Sequence, residues 1–218
     1  MFAYDMRMHM NKDIRPFHRT AVLASVDLVT TVTPGHLHLP TPCAGWDLGD
    51  LLAHMTVQHR GFAAAAHGCG ADLAVWQPAT VAEAVAADPA GTYSAAAADV
   101  IEAFADDDAL EATFALPEFG AGAAFPGALA IGFHFVDYFV HGWDVARSIG
   151  ADLQLPADVV AAVLPLALAV PDGKARTGDG AAFAPAITTA GEAPDLDRVL
   201  LYLGRSPQWT SPSAVKIR

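Results

Sequence analysis

The sequence predicts an all-α protein: an up-and-down four-helix bundle followed by a short irregular and helical C-terminal region. Three observations carry this. Apolar residues recur with the 3.6-residue period in several long segments. Alanine is used heavily while strand-type alternation is scarce. Capping signals open and close the periodic segments. At 218 residues and 53% hydrophobic, the chain can bury a substantial core. The expected organisation is a bundle over 12–150, a region over 151–210 packed on it, and a tail over 211–218.

The first helix is expected from Asp13, which can cap it, to Thr31, with Phe17, Val22, Leu23, Val26, Leu28 and Val29 on its apolar face. Thr33, Pro34 and Gly35 end it. An extended loop follows, with His36 and His38 pointing the same way; a metal pair is conceivable, but solvated loop histidines are the commoner case. Helix two opens sharply. Asp47 is its N-cap, Asp50 stands at the third position, Trp46 and Leu51 flank the cap, and the helix runs to about Ala66. A short helix is expected over Thr80–Ala87 and a third long one over Thr92–Asp106. Asp106, Asp107 and Asp108 lack the glycine turn and distal Glu of a calcium loop and read as a solvated helix end. Leu116–Gly122 reads as a loop. Pro126 suits the first turn of a fourth long helix ending at Ile149 and Gly150. A fifth helix is expected over Pro156–Val170, kinked or shortened by Pro165. Then come an irregular stretch, Asp172–Pro194, and a terminal helix, Asp195–Leu203.

The net charge is −12, from 24 acidic and 12 basic residues, and no Lys/Arg cluster occurs. Nucleic acid and anionic membranes are therefore poor partners. The N-terminal stretch lacks the apolar core of a signal peptide, and His, Asp, Pro and Gly interrupt every apolar run, so a cytoplasmic protein is expected. Cys43 and Cys69 make neither a disulfide framework nor a zinc module, in keeping with a reducing compartment. Cys69, in a glycine-flanked loop, reads as incidental. The chain is compatible with a monomer or a homodimer.

The fourth helix carries the chemistry. Within an apolar run, His134, Asp137, His141 and Asp144 fall at intervals of three, four and three, on one stripe. Burying these groups unsatisfied would cost several kcal/mol, so a metal ion or an internal hydrogen-bond network has to satisfy them. Asp137 and His141, four residues apart, can converge on one ion, and His54 on helix two is the best third ligand. His134 and Asp144 are then expected beside them, orienting an imidazole or holding a water. Arg147, Trp143 and Tyr138 are candidates for contacts to substrate, although Arg147 also reads as a surface ion pair and Trp143, like Trp46, as core. Arg205 either covers the pocket mouth or is solvated.

The segment Thr41-Pro42-Cys43-Ala44-Gly45-Trp46-Asp47-Leu48-Gly49-Asp50-Leu51-Leu52-Ala53-His54 resembles the start of the second helix in the DinB-like superfamily, in particular the actinobacterial branch that includes mycothiol-dependent maleylpyruvate isomerase. The run from Asp137 through His141, Gly142, Trp143 and Asp144 to Arg147 resembles the second motif of that branch, and Asp195 to Arg205 its C-terminal segment. The resemblance implies a four-helix bundle holding one divalent ion, zinc or nickel, on His54, Asp137 and His141. One position departs from the pattern: the family's acidic ligand is usually Glu, and here it is Asp137. It also implies mycothiol, or a similar thiol, as cosubstrate.

The expected function is thus a metal- and thiol-dependent transferase or isomerase acting on a small electrophile. A metal-dependent hydrolase with His134 or Asp144 as general base, and a non-catalytic metal-binding or sensor protein, are the alternatives. A structural site would close its fourth position with a protein ligand, for instance His134 or His59; a catalytic site keeps it open.

Overall fold

A computed structural model describes residues 13–178, 181–189 and 191–211. The helices are α1 (Arg15–Val29), α2 (Leu48–Ala66), α3 (Ala82–Ala87), α4 (Pro89–Ala105), α5 (Gly127–Ser148), α6 (Ala157–Leu168) and α7 (Asp195–Tyr202). Four of them close a ring: α1 packs on α5 and α4, and α2 on the same two. None of the helices is long and apolar enough to cross a membrane.

Local chemistry accounts for most boundaries. Asp47 accepts from the Asp50 backbone N–H at 2.9 Å, while the Asp50 carboxylate lies 3.2 Å from the Asp47 backbone nitrogen, a reciprocal cap at the start of α2. Gly61, inside α2, leaves room for Trp76, which a Cβ there would meet at 2.4 Å. Asp13 accepts from the Arg15 backbone N–H, yet the residue at the N-cap of α1 is Ile14. Helix α4 begins at Pro89, earlier than expected, because Asp88 caps it through the Gly91 N–H. Pro34–His36 forms a 3-10 turn in place of an extended loop, so His36 turns back to accept from the Thr33 N–H. Pro165 is accommodated within α6.

The sequence did not signal the short antiparallel pair β1 (Thr113–Ala115) and β2 (Ala124–Pro126), in which Phe114 stands opposite Phe125. Its tip is the loop expected at Leu116–Gly122, folded as a 3-10 turn over Pro117–Phe119.

Among the described residues three apolar clusters hold the fold. Leu48, Leu51, Leu52 and Met55 of α2 meet Val22, Val29, Tyr93 and Tyr138. Phe62, Phe104, Phe114 and Ile131 fill the end near the hairpin. The third joins α5 to the C-terminal region, with Phe135, Phe139 and Trp143 against Val159, Val163, Val199 and Leu200. Ser211, at the start of the expected tail, is buried, and 212–218 lie outside the described residues, as do 1–12.

Candidate metal centre

The loop before α2 and one turn of α5 build this site. Thr41 Oγ1 accepts from the Cys43 N–H at 3.1 Å and lies 2.9 Å from the Trp46 carbonyl oxygen, to which it can donate. Gly45, at φ 87°, completes the turn. This pinned loop delivers Trp46 over His54, ring centroids 4.8 Å apart, and towards His141 at 6.3 Å.

His54, Asp137 and His141 come together as the sequence suggested. Their ligand atoms all lie within 4.8 Å of one another. Asp137 bridges the two rings, with Oδ1 3.3 Å from His141 Nε2 and Oδ2 3.8 Å from His54 Nε2. Two donors about 2.1 Å from a tetrahedral ion stand roughly 3.4 Å apart, so this spacing fits a zinc-type ion. The shorter Asp side chain reaches both imidazoles. Among the described residues no fourth His, Cys, Asp or Glu joins these three. The His54 and Asp137 side chains keep 22% and 21% of their surface exposed, so the site opens outward.

Behind the trio the site is closed. His141 Nδ1 is 2.9 Å from Asp144 Oδ2, a contact that fixes the ring and leaves Nε2 aimed at Asp137. Asp144 is fully buried and takes two further bonds from the buried Arg205: Nη2 to Oδ2 at 2.9 Å and Nε to Oδ1 at 3.1 Å. Arg205 reaches it because the chain turns just past α7 at Gly204, φ 75°, where a Cβ would stand 2.6 Å from Ala184. Sequence reasoning left Arg205 undecided between mouth and solvent. The buried Asp144 was the available signal, since such a charge demands a partner.

The electrostatics follow. Burial acts against charge on Asp137, but His141 and His54 outweigh it and hold the carboxyl well below its usual range. Burial also opposes charge on His141, and Asp137 and Asp144 on either side raise the imidazole to about 9. Without an ion, a proton therefore sits where the ion would. Cys43, with His141 and Asp144, forms a second group of possible ligands. The Asp144 carboxylate is committed to Arg205, and burial pushes the Cys43 thiol up to about 11, so this group is a poor metal site.

Several expected site residues lie elsewhere. His134 stands seven residues before His141, a rotation of about 700°, so it shares that face to within about 20° but lies two turns, roughly 10 Å, away along α5. It faces α1, where His18 Nε2 is 2.8 Å from its Nδ1, and α2, where His59 Nδ1 is 3.3 Å from its Nε2. All three imidazoles are buried. His134 and His59 thus close no coordination sphere. Tyr138 is core, its ring stacked on both His134 and His59, which also meet each other, and its hydroxyl donates to the Met55 carbonyl. Trp143 belongs to the cluster against α6 and α7. Arg147 donates to the Trp209 carbonyl at 2.6 Å and lies over the Trp143 ring. Cys69 is exposed.

The family model of the mycothiol maleylpyruvate isomerase N-terminal domain matches residues 18–146. The chain belongs to this family. The matched span includes His54, Asp137, His141 and Asp144, whereas Arg205 lies beyond it. Two uncharacterized proteins from two strains of Mycobacterium tuberculosis, MT0763 and Rv0738, are each 28% identical over 190 residues, covering 87% of this chain and 96% of theirs. The crystal structure of the mycothiol-dependent maleylpyruvate isomerase superposes with a TM-score of 0.55 at 12% identity, over 71% of this chain and 66% of that one. At that identity the likeness speaks for the fold.

Proposed function

We propose that this member of the mycothiol maleylpyruvate isomerase N-terminal domain family is a divalent-metal enzyme that works with a low-molecular-weight thiol, mycothiol, as a transferase or isomerase on a small electrophile. The observation that carries the reading is the convergence of His54, Asp137 and His141 at a donor spacing suited to a tetrahedral ion, with one side open. Two imidazoles and a carboxylate without thiolate favour zinc, with nickel second. An ion held there supplies a Lewis acid that makes a thiol easier to deprotonate at neutral pH.

The chain's own residues do the rest. Asp144 holds His141 by Nδ1, and Arg205 holds Asp144. Trp46 covers one side of the two imidazoles and keeps water from it. Cys43, the cysteine beside the site, is a neutral thiol, so the sulfur nucleophile comes from the cosubstrate. In an isomerisation the thiol sulfur adds to an activated double bond, which becomes single and rotates. Elimination of the same sulfur then restores the double bond in the other geometry.

The test compares zinc- or nickel-loaded protein with stripped protein, by calorimetric titration of mycothiol and by turnover of maleylpyruvate and generic electrophiles with and without the thiol. Thiol binding and turnover confined to the loaded form are expected. Identical behaviour of the two forms, with no thiol bound, would overturn the reading.

A further inference from the structure

The hairpin between β1 and β2 carries a second carboxylate to the rim of the centre. Glu118 lies in the 3-10 turn Pro117–Phe119, and its Oε2 accepts from Gln58 Nε2 at 2.8 Å. Gln58 is buried and stands one helical turn beyond His54, so the bond ties the hairpin tip to the face of α2 that presents His54. The tip is tied to α5 as well. Phe119 stacks on Phe133, centroids 5.1 Å apart and planes at 26°, and Phe133 lies one turn before Asp137. Phe125 meets both rings edge-on. The hairpin tip is thus anchored one turn from His54 through Glu118 and one turn from Asp137 through Phe119.

Its environment matches that position. Glu118 is an exposed residue, but its carboxyl is partly desolvated where it meets Gln58, which raises it above its usual range, while Gln58 and His54 draw it down and Asp137 adds to the rise. Among the described residues nothing donates to Oε1, which leaves that oxygen free.

We propose that Glu118 is the proton acceptor of this centre: its Oε1 takes the proton that a thiol gives up on binding beside His54 and Asp137. The S–H bond breaks with its electron pair left on sulfur, and an O–H bond forms on Glu118. The role rests on the thiol-dependent reading above and adds a residue to it. Gln58 is then a positioning residue, acting through Glu118.

Calorimetry of mycothiol binding to the zinc-loaded protein, repeated in buffers of different ionisation enthalpy, counts the protons released to solvent. Wild type is expected to release almost none, because Glu118 retains the proton, and E118Q about one per thiol bound. Glutamine still accepts from Gln58, so the hairpin stays tied in the variant, and turnover should fall about 100-fold with little change in the KM of the electrophile. Equal proton counts in the two proteins overturn the proposal while leaving the thiol reading intact. Loss of zinc from E118Q would make Glu118 a ligand and overturns it too. Absence of thiol binding to loaded wild type overturns the thiol reading and this role together.

Discussion

Asp144 Oδ2 stands 2.9 Å from His141 Nδ1 and 2.9 Å from Arg205 Nη2, so a residue of the C-terminal segment holds a carboxylate that in turn holds an imidazole of the metal centre. The relay couples the packing of α7 to the geometry of the site. It also explains why Asp144 can be fully buried in an apolar helix.

Removing Arg205 should therefore cost more than a surface arginine does. R205L leaves Asp144 buried without its cation, and the expected loss is about 3–5 kcal/mol in chemical denaturation. R205L combined with D144L should recover much of that stability. D144N keeps the shape but loosens His141, and zinc affinity is expected to drop about 10–100-fold.

The ligand trio makes a second prediction. H141A and H54A should each lose stoichiometric zinc at a chelator concentration the wild type withstands, while the helical circular dichroism persists, because neither histidine belongs to the apolar clusters that hold the helices together. H134A removes an imidazole of similar depth on the same helix and should leave zinc binding in place. Retention of zinc by H141A would dismiss the assignment.

Tyr138 distinguishes core from pocket. Its hydroxyl donates to the Met55 carbonyl and its ring stacks on two imidazoles that also meet each other. Y138F should cost about 1 kcal/mol in stability through the lost hydrogen bond. Thiol titration and turnover should be unchanged.

The sequence showed much of this molecule because much of it is local. The Asp47–Asp50 cap and the apolar periodicity of α2 and α5 depend on neighbours within a turn or two, and so does the convergence of Asp137 and His141. What escaped was non-local. His134 shares a stripe with Asp137 and His141 but sits one to two turns before them, at the depth where α1 and α2 bring His18 and His59. His18 and His59 did sit on apolar helix faces, a signal that could have paired them with His134. Arg205 was unreadable without the packing of α7, and Glu118 without a hairpin whose three-residue strands have no periodicity to detect.

The three buried imidazoles predict how stability varies with pH. Burial lowers His18 to about 3; it also holds His134 and His59 well below the usual histidine value, and neighbouring imidazoles add to this. The folded protein keeps these groups neutral, whereas the unfolded chain protonates them below about pH 6.5. Above that value the two states bind the same number of protons at these sites, and their contribution to stability is full. Below it the unfolded state binds more, so stability falls with pH, by about 1.4 kcal/mol per unit for each histidine once its unfolded form is fully protonated. Three together approach 4 kcal/mol per unit, a large share of a domain's net stability of about 5–15 kcal/mol. His141 has the opposite sign. Raised to about 9 in the metal-free protein, it stabilises fully below the unfolded value and loses that contribution as pH climbs through 9. Metal-free protein should thus be most stable between about pH 6 and 7 and unfold in acid near pH 4–5. Denaturant melts across pH 4–9 measure this. His59 Nε2 is buried without a partner among the described residues, so H59F removes one of the three titrations and an unsatisfied atom together. Its acid slope should be about two thirds of the wild-type slope, and an unchanged slope would show that the cluster does not govern acid unfolding.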